Sequence, residues 1–229
     1  WRGRRMPLHV LADAGYLIDG ELVMRWAPLG FTRDSNDLDS YLETQRGRRW
    51  CYLAEPYPTH LPYNPPQAYY DQFVDSDFHP DAATRRRLDI VRSRMILHPP
   101  DVQAAVEVTT ADAIGQGDAA YQRSSAIVDF EPQDAPGIRA LYDGEVRVFD
   151  DMVGRWLAKL ESLGIFDDTL VIVTADHGEE LLERGHVGHS SCNLKGTLYD
   201  ESIHVPLIIR YPKRLPAGVV IRQQISQVD

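Results

Sequence analysis

The run Thr169-Leu-Val-Ile-Val-Thr174 leads through Ala175 straight into Asp176-His177-Gly178. Glu179, Glu180, Glu183, His186 and His189 all follow within thirteen residues of Asp176. A carboxylate offers hard oxygen and an imidazole offers nitrogen, so Asp176 and His177 together suit calcium, magnesium, manganese or zinc. Gly178 permits a sharp turn that aims both side chains at one point. The plainer alternative is that Asp176 caps the next segment and His177 is a surface residue. Lys195 precedes the strand-like run that begins near Val205. A lysine beside a metal is a natural clamp for an anion, acting as a point charge. His60, in "THLPYNPP", comes shortly after another strand-like run and could bind an oxyanion or protonate a leaving oxygen. Taken alone, His60 reads as a structural histidine; the combination is more specific than any member.

These residues need elements to position them. Residues 134–164 carry Ile138, Leu141, Tyr142, Val146, Phe149, Val153, Trp156, Leu157 and Leu160 at helical spacing. Asp134 suits the cap, Pro136 the first turn, and Gly164 the stop. A turn and the apolar strand of residues 169–175 follow. A long helix feeding a nearly continuous apolar strand is an α/β pattern, and it predicts a strand buried on both faces. Functional groups in such sheets collect beyond the carboxyl ends of strands, where Asp176 and His177 stand. Residues 205–212 read as a second strand of this kind and residues 219–228 as a third.

Farther upstream, residues 8–16 read as a short helix. Residues 33–47 read as a polar helix with Leu38, Tyr41 and Leu42 on its apolar side, and residues 48–56 as a buried strand. If that strand runs parallel to the one before Asp176, His60 reaches the same sheet edge. The Pro- and Tyr-rich stretch is too rigid for a helix until about Pro66. Residues 80–98 suggest a surface helix whose arginines form a solvated face. Residues 98–133 lack periodicity and are expected to be a long loop or insertion.

Three segments carry a resemblance. "LYDGEVRVFDDMVGRWLAKLESLGIFDDTLVIVTADHGEE", "KGTLYDESIHVPLIIRYP" and "HLPYNPP" are similar, in the same order, to the later part of the sulfatase catalytic domain of the alkaline phosphatase superfamily. Together they cover roughly half the chain, and "LADAGY" near the start is similar to a further family segment. The resemblance implies an α/β fold with a mostly parallel sheet sandwiched by helices, here one partial catalytic domain over residues 1–229, incomplete at both ends. It implies hydrolysis of sulfuric esters carried by a small molecule or a glycan. Asp176 and His177 would hold the divalent metal, calcium first in this family. His177 stands where many members have Asn, which leaves manganese or zinc as alternatives. His60 and Lys195 would be catalytic and contact the sulfate, and His189 would be a further ligand or substrate contact. Glu179, Glu180 and Glu183 read as solvated or outer groups, and His9, His79, His98, His186 and His204 as ordinary histidines.

The nucleophile has no match. Sulfatases use a formylglycine made from Cys or Ser in a C/S-x-P-x-R motif, and related phosphatases use Ser or Thr. Neither Cys51 nor Cys192 lies in such a motif, and no Ser does. The family's first metal-binding Asp residues also have no match, so the residues present amount to half a site, expected to be inactive alone. Formylglycine is expected in a preceding region. Two other readings stay open: a phosphate or phosphonate ester hydrolase or transferase of the same superfamily, and a non-catalytic binding protein.

Composition narrows the partners. A formal charge of -10 argues against nucleic acid or an anionic membrane, although a local cation still admits an anionic substrate. No stretch approaches the ~18 apolar residues of a membrane span. Two widely spaced cysteines leave the redox compartment open, as the sequence leaves oligomeric state and location.

Overall fold

A computed structural model describes residues 54, 56–99, 125–189 and 197–227, with 17–18, 38, 42–43 and 50–52 besides. The expected helix at residues 8–16, Tyr41, Cys192 and Lys195 lie outside the described residues.

The chain alternates helices with short strands, as the α/β reading requires. Strands β1 (Leu17–Ile18) and β2 (Trp50–Cys51) pair in parallel. Helix α1 (Gln67–Phe73) starts immediately after Pro66, where the prolines stop. Helix α2 (Ala82–Val91) begins at Asp81, whose carboxylate accepts from the backbone N–H of Ala83 at 2.9 Å and Thr84 at 2.7 Å. This helix is shorter than the sequence suggested. It ends at Val91, and Met95–Leu97 is strand β3. Residues 98–133 are likewise not loop throughout, because Ser125–Ile127 forms β4, parallel to β3. Met95 and Ile96 are buried there, so packing overrides the helical spacing read from the arginine-rich stretch.

Helix α3 (Ala135–Ser162) is the spine, about 42 Å long at 1.5 Å per residue. Asp134 does not cap it with its side chain. That carboxylate, fully buried, accepts two hydrogen bonds from the Arg87 guanidinium at 2.5 and 2.9 Å and one from the Glu131 N–H at 2.9 Å. The pair ties α2 to the start of α3.

Strand β5 (Val171–Thr174) precedes Asp176 as expected, but it pairs antiparallel with β8 (Leu207–Arg210). It is not buried on both faces. Ile172 is 54% exposed and Ile208 62%, since no other strand flanks the ladder among the described residues. Residues 219–227 form no strand. Between β5 and β8 lie a small antiparallel ladder, β6 (Glu180–Leu181) with β7 (Val187–Gly188), and the short helix α4 (Asp200–Ile203).

Two apolar clusters hold these parts. The larger joins Leu61 and Tyr63 to Leu88 and Val91 of α2, Met95, Ile96, Val128, Ile138 and Leu141 of α3, and Val187 of β7. The smaller packs Leu38, Leu42 and Leu160 with Trp50, Trp156 and Val171 around them. No helix among the described residues is long and apolar enough to cross a membrane.

Candidate active site

The segment from Tyr57 to Pro65 is locked to the larger cluster at several points. Tyr63 is fully buried, its N–H donates to Val91 O at 3.0 Å, and its ring meets Tyr142 edge-on at 5.4 Å. The Asn64 N–H donates to the buried Glu145 carboxylate at 2.8 Å. His60 is thereby held on a fixed loop. Its Nδ1 lies 2.6 Å from Leu61 O, which makes Nδ1–H the donor, and the Tyr57 hydroxyl also donates to that carbonyl. In the neutral ring this leaves Nε2 as the acceptor.

The opposite wall is the turn after β5. Gly178 has no room for a side chain: an added Cβ would sit 2.0 Å from Glu201 O, and its N–H donates to Ser202 O at 2.8 Å. The turn is therefore docked on α4, and the chain runs on into β6. Gly188, in β7, has φ +93°, and an added Cβ would meet Leu61 at 2.7 Å. That close approach brings His189 beside His60.

The result is a cluster of three imidazoles around one carboxylate. The His177 and His189 rings lie 3.9 Å apart and the His60 and His189 rings 5.2 Å apart, centre to centre. Glu179 sits beneath them, its side chain only 4% exposed. Its Oε2 accepts from Tyr63 Oη at 2.5 Å. Its Oε1 lies 2.6 Å from His189 Nδ1 and 3.9 Å from His177 Nδ1. One ligand atom each from His177, Glu179 and His189 falls within 4.8 Å of the other two. Asp176 stands outside this group. Its carboxylate is 73% exposed, 3.5 Å from His177 Nε2, and accepts from the His177 N–H at 3.0 Å.

The electrostatics separate the histidines. Burial holds His60 below the ordinary imidazole value, and the neighbouring imidazoles act the same way against the Leu61 carbonyl and Glu179. Burial also disfavours charge on His189. There the hydrogen bond and the charge of Glu179, with Asp176 adding, outweigh it and raise the value. Burial and then Glu179 push the Tyr63 hydroxyl well above its usual range, so it stays a donor.

The structure thus brings together His60, His177 and His189, with Asp176 at the rim. Of the two readings of Glu179 and Glu180, as solvated or as outer groups, their burial leaves the second. The Thr197 hydroxyl donates to Glu180. Glu183 does lie at the surface, paired with Arg139 at 3.4 Å. Glu179 and Tyr63 are the residues that motif reading missed. The spacing of His177 and Glu179 held one signal, because in extended backbone residues i and i+2 share a side. Among the remaining histidines, His98 is buried and takes the Val187 N–H on its Nε2 at 3.1 Å, a packing role.

Comparison with known proteins identifies relatives of this chain. Steryl-sulfatase from Mus musculus is 35% identical over 99 residues, which cover 40% of this chain and 16% of that protein. N-acetylglucosamine-6-O-sulfatase from Bacteroides thetaiotaomicron is 32% identical over 135 residues, covering 59% of this chain and 22% of that protein. The matched segments therefore span less than a quarter of the length of either relative. The crystal structure of the phosphonate monoester hydrolase of Agrobacterium radiobacter superposes with a TM-score of 0.50 at 28% identity, covering 78% of this chain and 32% of that one. The sequence description of the family named Sulfatase matches residues 35–229, and the chain belongs to that family, within the alkaline phosphatase superfamily.

Proposed function

We propose that these residues form one wall of a site that hydrolyses sulfuric esters of a small molecule or a glycan. The observation that carries the reading is the convergence of His60, His177 and His189 on the buried Glu179, in a chain of the sulfatase family. His60, kept neutral, orients the sulfate group through a bridging water that donates one hydrogen to its Nε2 and the other to a sulfate oxygen. His189, whose value is raised where that of His60 is lowered, is the more readily protonated of the two. As the nucleophile attacks sulfur and the sulfur–oxygen ester bond breaks, this imidazole supplies the proton that the departing alkoxide takes up. Lys195 offsets the charge of the sulfate oxygens.

The donor chemistry of Asp176 and His177 fits a divalent ion: an exposed carboxylate lies 3.5 Å from an imidazole nitrogen on a turn that cannot shift without breaking its contact with α4. Such an ion, when bound, supplies positive charge to a sulfate oxygen. The nucleophile comes from residues other than these 229, so the chain as given is inactive alone.

The test is to compare an aryl sulfate, an aryl phosphonate and an aryl phosphate as substrates of the complete polypeptide. The reading expects the highest kcat/KM on the sulfate. A phosphonate preference would favour the second reading, which rests on the likeness to the phosphonate monoester hydrolase. No turnover of any of the three would favour a binding protein. Turnover by residues 1–229 alone would overturn the assignment of the nucleophile.

A further inference from the structure

A strained turn delivers His60 to the site. The His60 N–H donates to Tyr57 O at 3.2 Å, which closes a four-residue turn around Pro58 and Thr59. Proline suits the first central position of such a turn. Thr59, at the second, has φ +82°. That is the left-handed region a type II turn requires there, where glycine or asparagine normally stands. A β-branched residue is strained in it, and such strain persists only where neighbouring contacts over-determine the conformation. Tyr57 supplies contacts of this kind. Its hydroxyl donates to Leu61 O, the same carbonyl that lies 2.6 Å from His60 Nδ1, and stands 3.2 Å from that nitrogen. Its ring packs against the His60 ring at 5.2 Å, centre to centre. Burial first, and then the charges of Glu179 and Glu145, hold the Tyr57 hydroxyl above its ordinary range, so it keeps its proton. With that proton directed at Leu61, the phenol oxygen presents lone pairs to Nδ1. Nδ1–H therefore meets two acceptors, and Nε2 is left to face the site.

We propose that Tyr57 is a positioning residue for His60, and that its hydroxyl, held at the start of the strained Pro58-Thr59 turn, fixes the tautomer and plane of the imidazole. The inference rests on the functional reading above, in which Nε2 of His60 orients the sulfate. Tyr57 acts through His60 and Leu61 and not on the sulfate itself. In the other tautomer the Nδ1 lone pair would face Leu61 O at 2.6 Å, a repulsive contact, and Nε2 could no longer accept from the bridging water. Without the hydroxyl, Leu61 O loses a donor, Nδ1–H loses an acceptor, and the ring gains freedom to turn. Orientation lost beside a reacting group is costly in rate.

The experiment uses the complete polypeptide, with two readouts: sulfate release from an aryl sulfate, and nitrogen NMR spectra of isotope-labelled histidine rings. Tyr57→Phe, His60→Ala, the two combined and Tyr69→Phe are compared with the wild type. Tyr69→Phe removes a hydroxyl of the same kind, one that donates to Asp151 on α3. The proposal expects Tyr57→Phe to lower kcat/KM by about ten-fold. It expects no further loss when Tyr57→Phe is added to His60→Ala, because the effect passes through that ring. The wild-type spectrum should show His60 as a single Nδ1–H tautomer, and Tyr57→Phe should show a mixture. Tyr69→Phe should keep both the rate and the spectrum. Equal losses from Tyr57→Phe with and without His60 would overturn the proposal, as would an equal loss in Tyr69→Phe or a His60 spectrum that Tyr57→Phe leaves unchanged. Should Tyr57→Phe not fold, the wild-type spectrum decides, since an Nε2–H ring at His60 contradicts the proposal outright. Should His60→Ala keep the wild-type rate, the hydrolytic role of His60 falls, and the ring spectra alone decide the positioning role of Tyr57.

Discussion

The two sides of the candidate site are built to different standards. His60, Glu179 and His189 rest on the larger apolar cluster, where Tyr63, Ile96, Ile138, Leu141 and Val187 are essentially fully buried. Asp176 hangs from the end of β5, in a ladder whose Ile172, Leu207, Ile208 and Ile209 are all about half exposed. The packed side holds its polar groups in hydrogen bonds, and the open side leaves a carboxylate at the rim. Groups that must be oriented are found on the packed side. A site of this kind draws its precision from the α3 core rather than from the strand that its motif follows.

Mutations should expose that contrast. Ile138→Ala in the large cluster should cost about 2–5 kcal/mol in chemical denaturation, through lost burial and the cavity left behind. Ile208→Ala in the exposed ladder should cost less than about 1 kcal/mol. Equal losses would erase the distinction between the two sides. Gly178→Ala comes next, at about 1–3 kcal/mol, because its methyl collides with Glu201 O and the turn must leave α4. Asp81→Ala should cost about 1 kcal/mol by removing the cap of α2, a helix of the packed side, while leaving the cluster of histidines in place.

The smallest effect is electrostatic. His189 has a raised value in the folded state, so its contribution to stability is complete below the unfolded value of about 6.5 and is lost as pH rises through the folded one. His60 is lowered, so its contribution is present above about 6.5 and is lost as pH falls through its folded value. In the metal-free protein, NMR titration of the ring protons should place the two on opposite sides of that value. Glu179→Gln should remove the elevation of His189. Two coincident titrations would show that Glu179 does not discriminate between the rings.

Much of this was legible in the residue order. The spacing of Ile138, Leu141 and Leu160 marked the long helix, and Pro66 marked the start of α1. Asp176-His177-Gly178 stood at a strand end, as read. The boundary of α2 was not legible, since the apolar residues 95–97 continue its spacing and only pairing with β4 makes them a strand. The direction of β8 against β5 is likewise a property of pairing, invisible in either apolar run. Glu179 was lost among three similar glutamates. Its burial depends on Tyr63, 116 positions away, and on Gly188, which lets Leu61 approach. His60, His177 and His189 could be named from motifs, but their meeting depends on contacts that spacing does not encode.

The central claim is that these histidines form one reactive site. It is tested most directly by sulfate release from an aryl sulfate by the complete polypeptide, comparing wild type with His60→Ala, His189→Ala and, as a surface control, His79→Ala. The account predicts losses of at least about a hundred-fold in kcat/KM for the first two and an unchanged rate for His79→Ala. Wild-type rates in both His60→Ala and His189→Ala would contradict it.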